Sequence, residues 1–284
     1  MFDRRAWLLA AAVLTLPASL AAQDWRTVTQ TRQRSGESQL QVDVQYGAGK
    51  LSVEPARDNA LYRASIEYDA DMFNPVTRYH DGHLTVGVEG GAGVHLRLKD
   101  RQGGHMDLQL SRDVPLDLTL EFGAVEADME LGGLHIQNVS IHTGASETEV
   151  RFSQPNADQC DRAEFALGAA AFRVYGLGNL NCRDMKVDAG VGDVTLDFTG
   201  QWRNDLSARL NVALGSATLV LPRDIGVRVN KDTFLASFDS DRFTKRGGQF
   251  YSDNWDTAQR RLTLDLSGAF GSINVRWVDD STTP

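Results

Sequence analysis

The sequence predicts an all-β protein that forms a single elongated β-solenoid with coils of roughly 21–25 residues. Three observations lead to this prediction. Apolar and polar residues alternate from residue 38 onward, which is the pattern of strands that bury one face. A glycine-centred unit recurs along the second half of the chain. No convincing amphipathic helix interrupts these segments; the best candidate for a short one is "NWDTAQRRL", near residue 258.

Residues 1–22 have the order of a cleavable secretory signal peptide. Arginines precede an apolar run at residues 6–16, and Pro17 and small residues follow it. This run is too short to span a membrane, and we expect cleavage after Ala21 or Ala22. The mature protein is therefore expected to be exported, to the periplasm or beyond the cell, without a retained transmembrane helix.

The region before the repeats divides into two parts. Residues 23–37 are polar and only weakly alternating, which predicts a loose lead-in. Residues 38–113 are an N-terminal β segment in which alternating strands are separated by glycines and turns. Asp81 and Gly82 lie between two such strands, and Asp-Gly at this position predicts the turn of a β-hairpin.

The repeats and a closing segment occupy residues 114–278, and residues 279–284 form a tail. Five of the repeat glycines lie 21 to 25 residues apart, each with an apolar residue three positions before it. A degenerate copy lies near Ala236. Because one coil cannot bury its own apolar face, stacked coils bury a continuous core. Glycine is expected where the chain turns close to the neighbouring coil. The predicted structural glycines are Gly47, Gly123, Gly144, Gly168, Gly190, Gly215 and Gly271.

The two cysteines occupy the same position in consecutive repeats, eight residues before Gly168 and Gly190. Equivalent residues of adjacent strands lie roughly 4.8 Å apart, which is within the Cα separation that a disulfide tolerates. An exported protein also meets an oxidising compartment. We therefore predict a disulfide between Cys160 and Cys182.

Three further stretches resemble the toast-rack, or putative-adhesin, family of bacterial β-solenoid domains, which is related to the C-terminal domain of LiaF-like envelope stress proteins. They are "LYRASIEYDADMFNPVTRYHDGHLTV" (61–86), "LNVALGSATLVLPRDIGVRV" (210–229) and "RFTKRGGQFYSDNWDTAQRRLTLDLSGAFGSINV" (242–275). The resemblance implies a toast-rack solenoid at the cell envelope with no established catalysis. LiaF-like proteins also have an N-terminal membrane region and restrain a sensor kinase, and this chain departs from that pattern.

No group of residues indicates catalysis, a cofactor or a resident metal. The net charge of −9 excludes a typical nucleic-acid binder, which needs a basic surface. The acidic stretches "DADMFN", "FDSDRF" and "DNWD" match no calcium-binding pattern. The candidates for a site are the histidines His80, His83, His95, His105, His135 and His142, and the group Arg173, Arg183 and Asp193 on one predicted sheet. We interpret all of them as surface residues.

The leading hypothesis for function is a non-enzymatic interaction or adhesin-like module at the bacterial envelope, whose partner is an unknown envelope protein or glycan. One alternative is a protein that binds or cleaves polysaccharide along one solenoid face. Trp202, Trp255 and Trp277 share no repeat position, so they do not indicate a ladder of aromatic side chains for sugars. The other alternative is a self-assembling structural protein; the capping segments 61–98 and 242–262 would then be what blocks assembly. The sequence leaves the oligomeric state open.

Overall fold

The computed structural model describes residues 24–90, 103–239 and 241–279. The predicted signal peptide and His95 lie outside the described residues. Within them, no helix has the length and hydropathy needed to cross a bilayer. The elements are β1 (Trp25–Gln33), β2 (Leu40–Pro55), β3 (Ala60–Asp69), β4 (Phe73–His80), β5 (His83–Gly90), β6 (Gly104–Leu110), β7 (Pro115–Glu130), β8 (His135–Arg151), β9 (Cys160–Tyr175), α1 (Leu177–Leu180), β10 (Cys182–Asp197), β11 (Leu206–Pro222), β12 (Gly226–Phe238), β13 (Phe243–Arg246), β14 (Gln249–Ser252) and β15 (Arg261–Val278).

The described strands form an open sheet in the order β1-β3-β6-β2-β7-β8-β9-β10-β11-β15-β12-β14-β13, with β5 beside β2 and β4 beside β5. From β2 to β12 along this order, the long strands pair in parallel with equivalent residues side by side. One such column of paired residues runs through Leu120, Ile141, Phe165, Val187 and Leu210. Stacking of coil on coil in this register is the arrangement that the repeat predicts, and the all-β solenoid is confirmed.

Each long strand changes its buried face near its middle, as β9 illustrates. Phe165 is buried before the change and Phe172 after it, although an odd spacing would place them on opposite faces of a straight strand. Seven residues of extended strand span about 23 Å, yet the ring centroids of these two residues are 5.3 Å apart. The strand therefore folds over at its centre, and its two arms face each other across the core.

The open side between the arms is closed by the loops that join successive coils. Asn179 lies in one of these loops and is buried. Its side-chain nitrogen donates to the carbonyl of Phe152 at 2.7 Å, and its side-chain oxygen accepts from the backbone nitrogen of Gln201 at 2.8 Å. A buried backbone group needs such a partner, so this asparagine satisfies the loops of two neighbouring coils at once.

The cysteines lie at the start of the same two strands. Cys160 and Cys182 are paired partners in the register of β9 and β10, and they form a disulfide. Both side chains are buried. The disulfide inferred from the repeat spacing is thus present between adjacent coils.

Two regions differ from the sequence-based expectation. Residues 25–33, predicted as part of a loose lead-in, form β1, which pairs antiparallel with β3. Backbone hydrogen bonds to β3 hold this strand, and most of its side chains are exposed, so it lacks the alternation that marks a half-buried strand. The segment near residue 258 forms turns rather than a helix, and Trp255 and Thr257 donate backbone hydrogen bonds to Ser252 and Asn254.

The predicted hairpin is present as β4 and β5, which pair antiparallel. Its turn residues Asp81 and Gly82 have φ angles of 47° and 80°. Positive φ at both central residues is the requirement of the tight turn that Asp-Gly favours. The only helix among the described residues is α1, a single turn within "GLGNLN".

Candidate functional site

The structure separates the histidines that could have formed a metal site. The described residues contain no group of three or more histidine, cysteine, aspartate or glutamate side chains able to hold a metal ion. Each described histidine instead lies beside its own carboxylate. The pairs are His80 with Asp81, His83 with Asp43, His105 with Asp107, His135 with Asp158 and His142 with Glu121.

The group suggested for polysaccharide cleavage is also dispersed. Arg173 forms an ion pair with Glu147 at 3.2 Å, and Arg183 lies 3.6 Å from Asp161. Asp193 accepts a hydrogen bond from Ser216 on the next coil. These contacts join neighbouring coils on the surface and do not bring the three side chains together around a substrate.

The tryptophans likewise lie in separate environments. Trp202 packs against the core and donates to the carbonyl of Phe198 at 2.8 Å. The ring of Trp255 lies 5.6 Å from that of Tyr251, and the ring of Trp277 lies 5.3 Å from that of Phe243. They form no shared platform for a sugar chain.

The candidate site is the outer corner, where the long strands fold over. Two columns that contain the corner glycines run along it, two positions apart in each strand. In the first column, a Cβ on Gly168 would lie 2.7 Å from the carbonyl oxygen of Gly144, so the adjacent backbone leaves no room for a side chain at Gly168. This column comprises Gly47, Gly123, Gly144, Gly168 and Gly190, and continues with Ala213 and Ala269.

The second column corrects the register of the repeat. Gly215 pairs with Gly192 rather than Gly190, and Gly271 pairs with Gly215. These three glycines have φ angles of 136–140°, a conformation that L side chains rarely adopt. The spacing of 25 between Gly190 and Gly215 therefore joins two different columns, and Gly215 and Gly271 belong with Gly192 instead.

Between the two glycine columns, one residue of each coil projects outward, and we name this line the corner ridge. Its residues are apolar throughout, and their size increases from β2 to β15. Val191 pairs with Leu214 and Leu214 with Phe270, and each of these side chains is about half exposed, at 51%, 50% and 50%. The corner ridge comprises Ala48, Ala124, Ala145, Ala169, Val191, Leu214 and Phe270.

A shallow groove follows the corner ridge, because the first glycine column forms its floor. One stretch of the groove has a volume of about 760 Å³ and passes over Gly168 and Gly190. A second stretch, of about 730 Å³, passes over Gly123 and Gly144. Both stretches include Ala166 in their lining, so the groove continues along the outer face.

The wider end of the corner ridge is bordered by carboxylates. Asp188 lies in the groove and pairs with Lys186 at 2.6 Å. Partial burial raises the pKa of Asp188, but hydrogen bonds from Asn211 and Lys186 and nearby positive charges outweigh it, and the pKa lies below its ordinary value. On the other side, Asp193 is exposed. An apolar line with a charged border is typical of a surface that binds another molecule.

The sequence contained a signal for this surface that the repeat alignment missed. The residue immediately after the first-column glycine is apolar in every coil from Ala48 to Val191. Counted back from the buried residues of the second arm, such as Phe172 and Val174, it belongs to the face opposite the core, where an apolar residue needs an explanation. Aligning all glycines in one column obscured that position.

One known protein family matches more than half of this chain. The model of the N-terminal domain of toast_rack, DUF2154, matches residues 21–175. The chain belongs to the toast-rack family. No curated protein shows significant similarity to this toast-rack chain.

Three crystal structures are among those to which the chain is similar. A "putative cell adhesion protein" from Clostridium sporogenes is 15% identical, with a TM-score of 0.49 over 89% of this chain and 100% of that one. A "putative adhesin" from Bacteroides fragilis is 12% identical, with a TM-score of 0.39 over 88% of this chain and 97% of that one. A "putative adhesin" from Parabacteroides distasonis is 12% identical, with a TM-score of 0.38 over 90% and 98%.

Proposed function

We propose that this toast-rack protein is a non-enzymatic, exported interaction module that binds a partner protein of the bacterial envelope through its corner ridge. The observation that supports the proposal is the exposed apolar line of Val191, Leu214 and Phe270. Exposed apolar side chains that are adjacent and bordered by charge mark binding surfaces, whereas scattered ones are ordinary.

Export is supported by two independent features. Residues 1–22 have the composition of a signal peptide, and the disulfide between Cys160 and Cys182 is typical of proteins in oxidising compartments. The resemblance to LiaF-like proteins suggests envelope stress as the setting. A periplasmic or extracellular location follows from these features as part of the proposal.

The corner ridge favours a protein partner over a membrane or a nucleic acid. Asp188 and Asp193 border its wider end, and the chain has a net charge of −9. Anionic lipid and nucleic acid would both be repelled by this charge. An apolar centre within a polar rim matches the construction of protein interfaces.

The experiment is a quantitative pull-down of envelope proteins and glycans with the mature chain and with a Leu214→Ser/Phe270→Ser variant. Each side chain is about half exposed, so burying both on binding contributes about 1.5–3 kcal/mol. The variant should therefore bind about 10–100-fold more weakly. An Ala145→Ser variant, at the narrow end of the ridge, serves as the matched control.

A partner that binds the variant and the mature chain equally would refute the assignment to the corner ridge. Turnover of a glycan by the mature chain would overturn the non-enzymatic proposal. Thermal unfolding of the variant distinguishes loss of binding from loss of fold, because exposed residues affect stability by only about 0.5 kcal/mol.

A further inference from the structure

The described sheet has four free strand edges, because β12 pairs with β14 only at Arg228 and Val229 and its second arm has no partner on that side. The end of this arm is covered, since the rings of Phe243 and Phe250 pack against Phe238. Two other edges are protected by their sequence. The edge at β13 is four residues long, includes Lys245 and Arg246, and ends in a Gly-Gly turn. The edge at β4 contains Pro75, which has no N–H to donate. Short length, lysine and proline are the devices by which proteins prevent unwanted strand pairing.

The remaining edge, β1, is longer than these and lacks proline and lysine, although it carries Arg26 and Arg32. It extends over nine residues, Trp25–Gln33, and its sequence "WRTVTQTRQ" contains no proline, glycine or lysine. Among the described strands it pairs only with β3. Its unpaired backbone N–H and C=O groups are therefore a template for one more strand.

We propose that this edge pairs antiparallel with β1 of a second copy of the chain, with Val28 opposite the partner's Val28. The register follows from charge. It places Asp24 opposite the partner's Arg32 and Arg26 opposite the partner's Gln30, so no like charges face each other. Opposite charges in directly opposed positions stabilise a strand pair, and like charges destabilise it.

The neighbouring register, centred on Thr29, would pair the full length of the strand but is disfavoured. It would place Arg26 opposite the partner's Arg32 on both sides of the twofold axis. A shift by one residue would exchange the buried and exposed faces of the strand. Repulsion between arginines thus disfavours the register centred on Thr29, and the orientation of the side chains disfavours a shift by one residue. The register centred on Val28 avoids both problems.

This arrangement extends the core as well as the sheet. Val28 is half-buried and packs against the core beside Ile66, so the two valines would meet on the apolar side of the joined sheets. Thr27 and the partner's Thr29 would form cross-strand pairs on the other face. Two opposing copies of one patch make a closed twofold contact, which yields a dimer and not a fibre.

The dimer goes beyond the proposed function, because it uses the opposite end of the sheet. The wider part of the corner ridge lies on β10, β11 and β15, and β1 is at the other end of the strand order. Both ridges would stay exposed. A dimer would then present two binding surfaces, which strengthens attachment to a partner that is itself multivalent.

The first test is light scattering with size-exclusion chromatography on the purified mature chain and two matched variants. The mature chain should show a concentration-dependent doubling of mass. Thr27→Lys/Thr29→Lys places lysines opposite lysines in the proposed register and should remain monomeric. Thr27→Lys/Thr29→Glu places each lysine opposite a glutamate and should restore the doubled mass.

The second test measures register directly by cross-linking. The chain has two cysteines, and both are in the disulfide, so an introduced cysteine is the single free thiol. Val28→Cys should form a covalent dimer under mild oxidation. Thr31→Cys should not, because the two thiols would be six residues apart along the strands, about 20 Å.

A mature chain that stays monomeric at every concentration would overturn the proposal, and so would equal cross-linking of the two cysteine variants. A monomeric Lys/Glu variant alongside a dimeric mature chain would refute the register. The Leu214→Ser/Phe270→Ser variant should dimerise like the mature chain, so failure of the corner ridge and failure of the β1 edge give different results.

Discussion

Removing the disulfide tests whether the coils are held together by local stacking alone. The bond joins residues separated by 22 positions, and the loop-entropy relation gives a stabilisation of about 3.4 kcal/mol for a loop of this length. The perturbation is Cys160→Ala/Cys182→Ala. Alanine avoids placing an unpaired hydroxyl at two buried positions.

The assay is equilibrium unfolding in urea, followed by circular dichroism in the β region. The double variant should unfold at a lower midpoint, with a loss of about 3.4 kcal/mol. Because stability in stacked repeats is a sum of neighbouring interfaces, the loss should be confined to a transition that includes β9 and β10. Reduction of the unsubstituted protein provides the control, and it should give the same midpoint as the variant. An unchanged midpoint in both would refute the reasoning, since the denatured chain would then gain no freedom from the lost cross-link.

Two further predictions concern the corner and the N-terminal end. Gly192→Ala should destabilise the fold by about 1–3 kcal/mol, because φ is 140° and the added Cβ would overlap the carbonyl of Ala170. Gly47→Ala is the control and should be nearly neutral, because no atom lies within 4 Å of its Cβ. Equal urea midpoints for the two variants would contradict the corner geometry. At Glu37, burial raises the pKa, but hydrogen bonds from Ser35 and Arg32 outweigh it and lower the pKa from 4.5 to about 2. A carboxyl group whose pKa is lowered by folding stabilises the fold at pH values above its ordinary pKa, and this contribution is lost as the pH falls toward the lowered pKa. Unfolding midpoints should therefore decline between pH 4.5 and 2. Glu37→Gln should remove part of this decline.

The solenoid could be predicted from the sequence because its determinants are local and repeated. Alternation reports which side chains face the core, and glycine reports where backbones approach each other. Cys160 and Cys182 could be paired because the repeat itself sets their register. In each case the information lies within one coil and is copied in the next.

The sequence was less informative where the determinant is a partner elsewhere in the chain. β1 is a strand because β3 offers it hydrogen bonds, and its own side chains have little alternation. The change of register at Gly192 and Gly215 has a related cause. Both columns contain glycines, so spacing alone cannot assign a glycine to one of them; the backbone pairing decides it.

The corner ridge is informative about function because packing does not determine its residues. The core positions must match their neighbours in volume, since interiors are close-packed. Gly168, Gly190, Gly192, Gly215 and Gly271 must stay small, since a Cβ at any of them would meet the backbone of the adjacent coil. The residue between the columns projects into solvent and is free of both constraints, so folding does not require valine, leucine and phenylalanine at positions 191, 214 and 270. Polar residues would serve solubility better at such positions. The increase in apolar size from β2 to β15 therefore supports the proposal that a partner protein binds there.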